Sequence, residues 1–181
     1  MFTTSLFSAL KPKASDLNTT DLLSFSTSAL YSGDAVLVKE AYDAVEKKLE
    51  SDPNNADLNY VGGELAIKLS GVFDMTLATT NPEAYLQNIV NNLDYLKEAG
   101  SYFEAAAEYE AALTPQDYVL GGVGLLLAAT SASDLNGLSS FDFNNPAPGA
   151  QEEAVDFIMT GIDSMGEADA AYWSDFLGLN I

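Results

Sequence analysis

The chain has 181 residues, enough for one domain with a sizeable core, and it carries 27 acidic but only 7 basic residues, for a formal net charge of −20. The few lysines are dispersed except for Lys11/Lys13 and Lys47/Lys48, which argues against binding to nucleic acids or anionic membranes. Because the sequence contains neither His nor Cys, the usual acid–base and nucleophilic constellations cannot form and zinc binding is disfavoured.

Residues 1–18 are predicted to be an N-terminal extension of the helical domain. Lys11 and Lys13 follow its apolar part, whereas the basic residues of a signal peptide precede the apolar part. If the protein is exported, its leader is therefore absent from this chain. No apolar run reaches the roughly 18 residues that a spanning helix needs, so we expect no membrane insertion of the chain.

Two segments, 35–50 and 55–70, show the same helical spacing of apolar residues. In each, five positions fall at i, i+3, i+4, i+7 and i+11, which is one face of an α-helix. The first set is Val38, Ala41, Tyr42, Val45 and Leu49, and the second is Leu58, Val61, Gly62, Leu65 and Leu69. Gly62 thus occupies a packed position, and Gly63 follows it. Since each glycine costs roughly 1 kcal/mol relative to alanine, we predict that a neighbouring helix approaches the pair closely.

Helical spacing recurs along the chain, and no strand alternation is sustained. Helices are predicted at 19–31, 35–50, 55–70, 82–99, 101–113, 116–131, 149–165 and 167–177. Capping residues precede proline near three helix starts, at Asp52, Asn81 and Thr114, and glycines stand at three helix ends, Gly33, Gly71 and Gly100. We therefore predict an all-α fold of about eight helices that form antiparallel hairpins in one domain.

The segment SASDLNGLSSFDFNNPAPGA at 131–150 interrupts this pattern. Its Ser, Asn, Gly and Pro content predicts a long loop over 132–148. Phe141 and Phe143 are expected to fold back onto the helices, so the loop is a candidate for binding or for a lid. The remaining residues, 149–181, are predicted to form helices that cap the end of the stack.

Two segments carry a resemblance to a known family. In KEAGSYFEAAAEYEAALTP, at 97–115, Gly100 stands at a turn, and Ala105 and Ala112 are small residues on either side of Tyr109. This segment resembles the second helix of a tetratricopeptide repeat. DPNNADLNYVGGELAIKLSG, at 52–71, resembles the junction of two such repeats, with Gly63 at the small-residue site.

The resemblance covers residues 19–131 and implies hairpins stacked as a right-handed array that binds other proteins without catalysis. It also implies that Gly62, Gly63, Ala105 and Ala112 lie at helix crossings. Degenerate hairpins of this kind are similar to those of the periplasmic lipoprotein T-component of TRAP transporters. That narrower resemblance implies a ligand-binding or transport role. The sequence leaves the compartment open, with a periplasmic or other extracytoplasmic one favoured.

Acidic residues at helical spacing occur in two groups, Glu104/Glu108 and Glu152/Glu153/Asp156. In so acidic a chain this spacing is typical of a solvated helix face. The sequence therefore predicts no catalytic residue, no metal site, no cofactor and no enzymatic activity. An enzyme would require an acid pair that is buried in a cleft and has a strongly raised pKa.

Two functions of different classes are consistent with the sequence. The first is a non-enzymatic interaction protein that presents an acidic, tyrosine-containing surface to another protein or peptide, with Tyr60, Tyr118, Phe141 and Phe143 as binding residues. The second is a small-ligand-binding protein with an apolar pocket gated by the 131–150 loop. A deep apolar cavity under Phe141 and Phe143 would favour the second function, and an open groove would favour the first. The sequence leaves the oligomeric state open.

Overall fold

All regular structure in the residues described by the computed structural model, 13–130 and 141–179, is helical, and these ranges contain no strand. The predicted all-α class is therefore confirmed. A 3-10 turn at Ala14–Asp16 precedes the α-helices. These are α1 (Thr19–Ser32), α2 (Ala35–Leu49), α3 (Ala56–Ser70), α4 (Met75–Thr80), α5 (Pro82–Asn91), α6 (Leu93–Glu108), α7 (Pro115–Ala129), α8 (Ala150–Asp163) and α9 (Glu167–Leu177).

Side-chain caps set the starts of most helices. Asn81 and Thr114 cap α5 and α7, as predicted from the prolines that follow them. Helix α3 is capped by Asn55 rather than Asp52, because the Asn55 side chain accepts a hydrogen bond from the Leu58 N–H at 3.0 Å. The sequence pattern did not predict the short helix α4.

Two of the three glycines predicted to end helices do so. Gly33 and Gly71 follow α1 and α3 with φ of +69° and +76°, a left-handed conformation that favours glycine. The prediction of a helix end at Gly100 was wrong, because Gly100 lies inside α6. The break falls at Asn92 instead, between α5 and α6. A Cβ at Gly100 would lie 2.8 Å from the carbonyl oxygen of Gly121, so glycine allows α7 to approach the α6 backbone.

The helices pack largely in chain order. Helices α1, α2 and α3 pack against one another, α3 packs against α6, α6 against α7, and α7 against α8. Helices α4 and α5 pack together as a short pair, and α9 packs against α8. The right-handed, repeat-like stacking implied by the resemblance stays a prediction.

The adjacent glycines of α3 make room for aromatic rings. A Cβ at Gly63 would lie 2.6 Å from the ring of Phe103, and one at Gly62 would lie 3.3 Å from the ring of Tyr102. Both rings belong to α6. The close approach predicted for this pair therefore involves side chains of α6, whereas helix backbones meet directly at the glycines of α6 and α7.

The two alanines predicted at helix crossings lie in different environments. Ala105 is half-buried on α6. Ala112 is exposed in the loop between α6 and α7, because α6 ends at Glu108 instead of continuing to residue 113. Ala112 therefore lies at no helix crossing.

Parts of four predicted segments lie outside the described residues: positions 1–12 of the N-terminal extension, position 131 of the helix predicted at 116–131, positions 132–140 of the long loop and positions 180–181 of the C-terminal segment. From 141 to 149 the chain forms turns, as predicted, and α8 then begins. Phe143 is buried, and its ring meets that of Phe141 edge to face, with centroids 4.9 Å apart. Among the described residues, no helix is both long and apolar enough to cross a bilayer.

Candidate functional site

An open cleft of about 530 Å³ lies among helices α1, α3 and α7. Helix α3 contributes the most lining residues, and Phe73, in the loop after α3, also lines the cleft. From α1 the lining residues are Leu23, Thr27, Leu30 and Tyr31; from α3, Asp57, Tyr60, Val61, Glu64, Ile67 and Lys68; and from α7, Gln116, Asp117 and Leu120.

Helical periodicity explains why these residues share the cleft. The lining positions of α3 follow one another at intervals of three, one, three, three and one, so they form a continuous face. This face borders the buried stripe of α3 that packs against α6. The lining positions of α1 follow one another at intervals of four, three and one, which also form one helix face. Helices α1 and α3 therefore each present a partly polar face to the cleft, beside the face that packs in the core.

The cleft combines an apolar interior with exposed aromatic rings at its edge. Val61, Ile67 and Leu120 are buried. Tyr31 is 88% exposed and Phe73 is 55% exposed, although both are large and aromatic. Exposed aromatic side chains at the edge of an apolar concavity are typical of surfaces that bind a partner.

Asp117 is held rigidly at one side of the cleft. It is the third residue of α7 and only 5% exposed. Its Oδ2 accepts a hydrogen bond from the Thr114 N–H at 2.7 Å, and the Thr114 hydroxyl accepts one from the Asp117 N–H at 3.3 Å. This reciprocal arrangement is a capping box, so the fold of the helix start also fixes the position of the carboxylate.

Glu64 of α3 forms an acid pair with Asp117 across the cleft. Burial above all, together with the negative charge of Asp117 and a hydrogen bond with Asp117, raises the pKa of Glu64 from 4.5 to about 7. Burial, followed by the charges of Asp117 and Glu64, raises the pKa of Tyr60 to about 12. Glu64 therefore changes charge near neutral pH, while Tyr60 stays a phenol.

The acid pair was missed by the sequence analysis because its members lie on different helices, far apart in the chain. Each had a local signal. Asp117 stands three residues after Thr114, at the capping-box position. Glu64 shares a helix face with Tyr60, which was itself a predicted binding residue. Neither signal predicts that the two carboxyl groups meet, since that depends on how α3 and α7 pack.

The four predicted binding residues do not come together. Tyr60 lines the cleft. The ring of Tyr118 lies 4.8 Å from that of Phe157, in the contact between α7 and α8. Phe141 and Phe143 pack on each other and do not line this cleft. The binding roles of Tyr118, Phe141 and Phe143 stay predictions.

The acidic groups that the sequence suggested are exposed on helix surfaces. Glu104 and Glu108 lie on α6, and Glu152, Glu153 and Asp156 lie on α8. Their exposure agrees with the prediction of a solvated face. In the described ranges, no three Asp or Glu side chains gather as a metal ion would require.

Two other surfaces carry distinctive residues. Lys13, Lys39 and Lys47 line a shallow groove of about 840 Å³ beside α2, although Lys39 is paired with Asp43. On α9, an aromatic cluster consists of Tyr172, Trp173 and Phe176, whose ring centroids lie 5.7 to 6.3 Å apart. Neither surface combines concavity, aromatic rings and buried ionisable groups as the α1–α3–α7 cleft does.

Comparison of the chain with protein-family models, with curated proteins and with solved structures finds no match. The function of the cleft therefore has to be inferred from its own residues.

Proposed function

We propose that this protein is a non-enzymatic interaction protein of helical-hairpin type that docks a segment of another protein in the α1–α3–α7 cleft. One observation carries the proposal: the cleft is open, and the highly exposed Tyr31 and the half-exposed Phe73 stand at its edge. A small-molecule site usually encloses most of its ligand, whereas protein interfaces use exposed aromatic side chains as anchors. The packing of α6 against α7 and of α7 against α8 supports the hairpin scaffold.

The acid pair fits binding better than catalysis. Asp117 already accepts a hydrogen bond from the backbone of its own helix start, which restricts its use as a base. The one aliphatic hydroxyl in the cleft, that of Thr27, donates to the Leu23 carbonyl oxygen at 2.9 Å and is not activated as a nucleophile. The cleft therefore offers recognition groups without a nucleophile positioned beside a base.

Selection of random 12-residue peptides against the whole chain tests this function. Tyr31→Ala removes an exposed anchor of the cleft, and Tyr172→Ala removes an exposed tyrosine on α9 as the matched control. We expect the selected peptides to lose at least about tenfold in affinity with Tyr31→Ala and to be unaffected by Tyr172→Ala, because an aromatic anchor of an interface contributes about 2 kcal/mol or more.

Two results would overturn the proposal. One is a set of selected peptides that bind equally well to the Tyr31→Ala variant, which would put the interface elsewhere. The other is a failure to select any peptide while native mass spectrometry finds a small molecule bound to the purified chain. That second result would favour the ligand-binding alternative.

A further inference from the structure

Among the described residues, no lysine forms an ion pair with an acidic side chain of the cleft. Asp57, Glu64 and Asp117 line it together with a single lysine, Lys68. Ion pairs between described residues are Lys39 with Asp43 and Lys97 with Asp94, so in this part of the chain no lysine lies within ion-pair distance of Glu64 or Asp117. A nearly buried carboxylate and a partly buried one thus face the same space, and no described lysine is in ion-pair contact with either.

Burial of two adjacent carboxyl groups is unfavourable unless something neutralises one of them. A proton does so in the free protein, and the raised pKa of Glu64 reflects this. A cation that enters the cleft would take the place of that proton. Charge-assisted hydrogen bonds to a carboxylate are stronger than neutral ones. Replacement of the proton by a cation therefore favours binding of the cation.

The rest of the cleft fits the shape of a lysine or arginine side chain, which has a long apolar stem and a cationic tip. Val61 and Leu120 offer buried apolar contact for the stem. Tyr60, beside the acid pair, offers an aromatic ring for the tip, and cations are attracted to the faces of such rings. Apolar, aromatic and anionic groups therefore occur together in one cleft.

The net charge of the whole protein also favours a basic partner. With a net charge of −20, the chain attracts basic partners over long distances and repels acidic ones. Because long-range attraction of this kind does not choose between one acidic face and another, specificity has to come from a concave site such as the cleft.

We propose that the cleft binds a lysine or arginine side chain of the partner, with its cationic tip between Tyr60 and the carboxyl groups of Glu64 and Asp117. This inference rests on the proposed function and adds to it the chemical class of the docked residue. The partner segment is accordingly basic, and its stem lies along the apolar wall formed by α3 and α7.

Titration with n-butylammonium chloride, a mimic of the lysine side chain, tests the inference. Amide chemical shifts of the full ¹⁵N-labelled chain are followed, with n-butanol as the neutral probe and potassium chloride as the salt control. We expect butylammonium to shift the amides of Tyr60, Glu64 and Asp117 in a saturable manner, and butanol to bind at least tenfold more weakly. Butylguanidinium in place of butylammonium distinguishes arginine-like from lysine-like preference.

A matched pair of variants tests whether the carboxyl group of Glu64 contributes to binding of the cation. Glu64→Gln should weaken butylammonium binding at least fivefold and leave butanol unchanged. Glu40→Gln removes an equal charge from an exposed position on α2 outside the cleft and should have no effect on either probe. Equal affinity for the ammonium and the alcohol, or unchanged binding in Glu64→Gln, would overturn the inference.

The two proposals fail in different ways. If the selected peptides depend on Tyr31 but ignore Glu64→Gln and contain no basic residue, the docking function stands and the cation site is wrong. If butylammonium binds at the acid pair while no peptide depends on Tyr31, the cation site stands and the docking function is wrong.

Discussion

Glu64 and Asp117 show how one pair of side chains can link packing to ionisation. Asp117 is immobilised by the backbone of α7, and Glu64 reaches it from α3. Since the pKa of Glu64 is raised, the folded protein holds a proton that the unfolded chain releases at lower pH. This proton makes stability depend on pH in a defined direction.

The contribution of Glu64 to stability is expected to fall as pH rises from about 4.5 to 7, and Glu64→Gln should remove this contribution. Below pH 4.5 Glu64 is protonated in both states. Between pH 4.5 and about 7 the unfolded chain loses the proton while the folded protein keeps it, which favours unfolding as the pH rises. Allowing for solvent screening of a partly exposed group, the variant should exceed the wild type in unfolding free energy by about 1–2 kcal/mol at pH 8. At pH 4 the two should be equal.

Urea denaturation of both proteins at several pH values measures this difference, with Glu40→Gln as the control for loss of a surface charge. If the wild-type and Glu64→Gln curves run parallel from pH 4 to 8, the carboxyl group of Glu64 is not buried beside Asp117.

Gly124→Ala should destabilise the protein although alanine is the better helix former. An added Cβ would clash with the carbonyl oxygen of Leu96 and would lie 3.0 Å from the Gly100 nitrogen. These are backbone atoms, so α6 and α7 would have to move apart. Overpacking of this kind costs about 1–3 kcal/mol beyond the roughly 1 kcal/mol gained in helix propensity.

Thermal or urea unfolding of Gly124→Ala reports the cost, and Gly166→Ala is the matched control, because a Cβ at Gly166 meets nothing within 4 Å. The control should change the free energy of unfolding by less than about 1 kcal/mol. Equal stability of the two variants would show that α6 and α7 do not cross at Gly124.

At the level of elements, two of the three predicted caps and two of the three glycines predicted to end helices were confirmed. Asn81 and Thr114 cap helices where the sequence indicated, because a cap is a local interaction of a few consecutive residues. Gly100 was assigned to a turn, but it lies within α6. Glycine is favoured both at helix ends and where two helix backbones cross closely, so the neighbouring residues do not distinguish these roles. The position of α7 shows that Gly100 lies at a crossing.

Thr114→Ala should destabilise the start of α7, and Thr114→Ser should not. Alanine cannot accept the hydrogen bond from the Asp117 N–H, and loss of such a cap costs about 1 kcal/mol, whereas serine keeps the hydroxyl group. Urea denaturation measures both effects. A serine variant as unstable as the alanine variant would argue against capping by this hydroxyl and would attribute the loss to the methyl group of threonine.

For the whole molecule, the 27 acidic residues far outnumber the 7 basic ones, which leaves a net charge of −20. In the described part of the chain the two ion pairs are exposed and local, within α2 and α6, so they contribute little to stability. Repulsion among carboxylates should therefore oppose folding at neutral pH and low salt.

Raising NaCl from 0.01 to 0.5 M at pH 7 should increase the midpoint of thermal unfolding, because the screening length falls from about 30 Å to below 8 Å. At pH near 4, where many of the carboxyl groups are protonated, the same salt change should have little effect. Circular dichroism at both pH values checks this. An equal increase at the two pH values would indicate a general salt effect instead of reduced charge repulsion.

The sequence by itself determined the helical class and most helix bounds of this protein, because apolar periodicity, caps and terminal glycines act over a few residues. It also placed Tyr60 among the candidate binding residues. Only the tertiary structure decided that Glu64 and Asp117 share a cleft, that Gly63 accommodates the ring of Phe103, and that Gly100 lies at a helix crossing. These contacts join residues on different helices, and their energies depend on packing that no local pattern specifies.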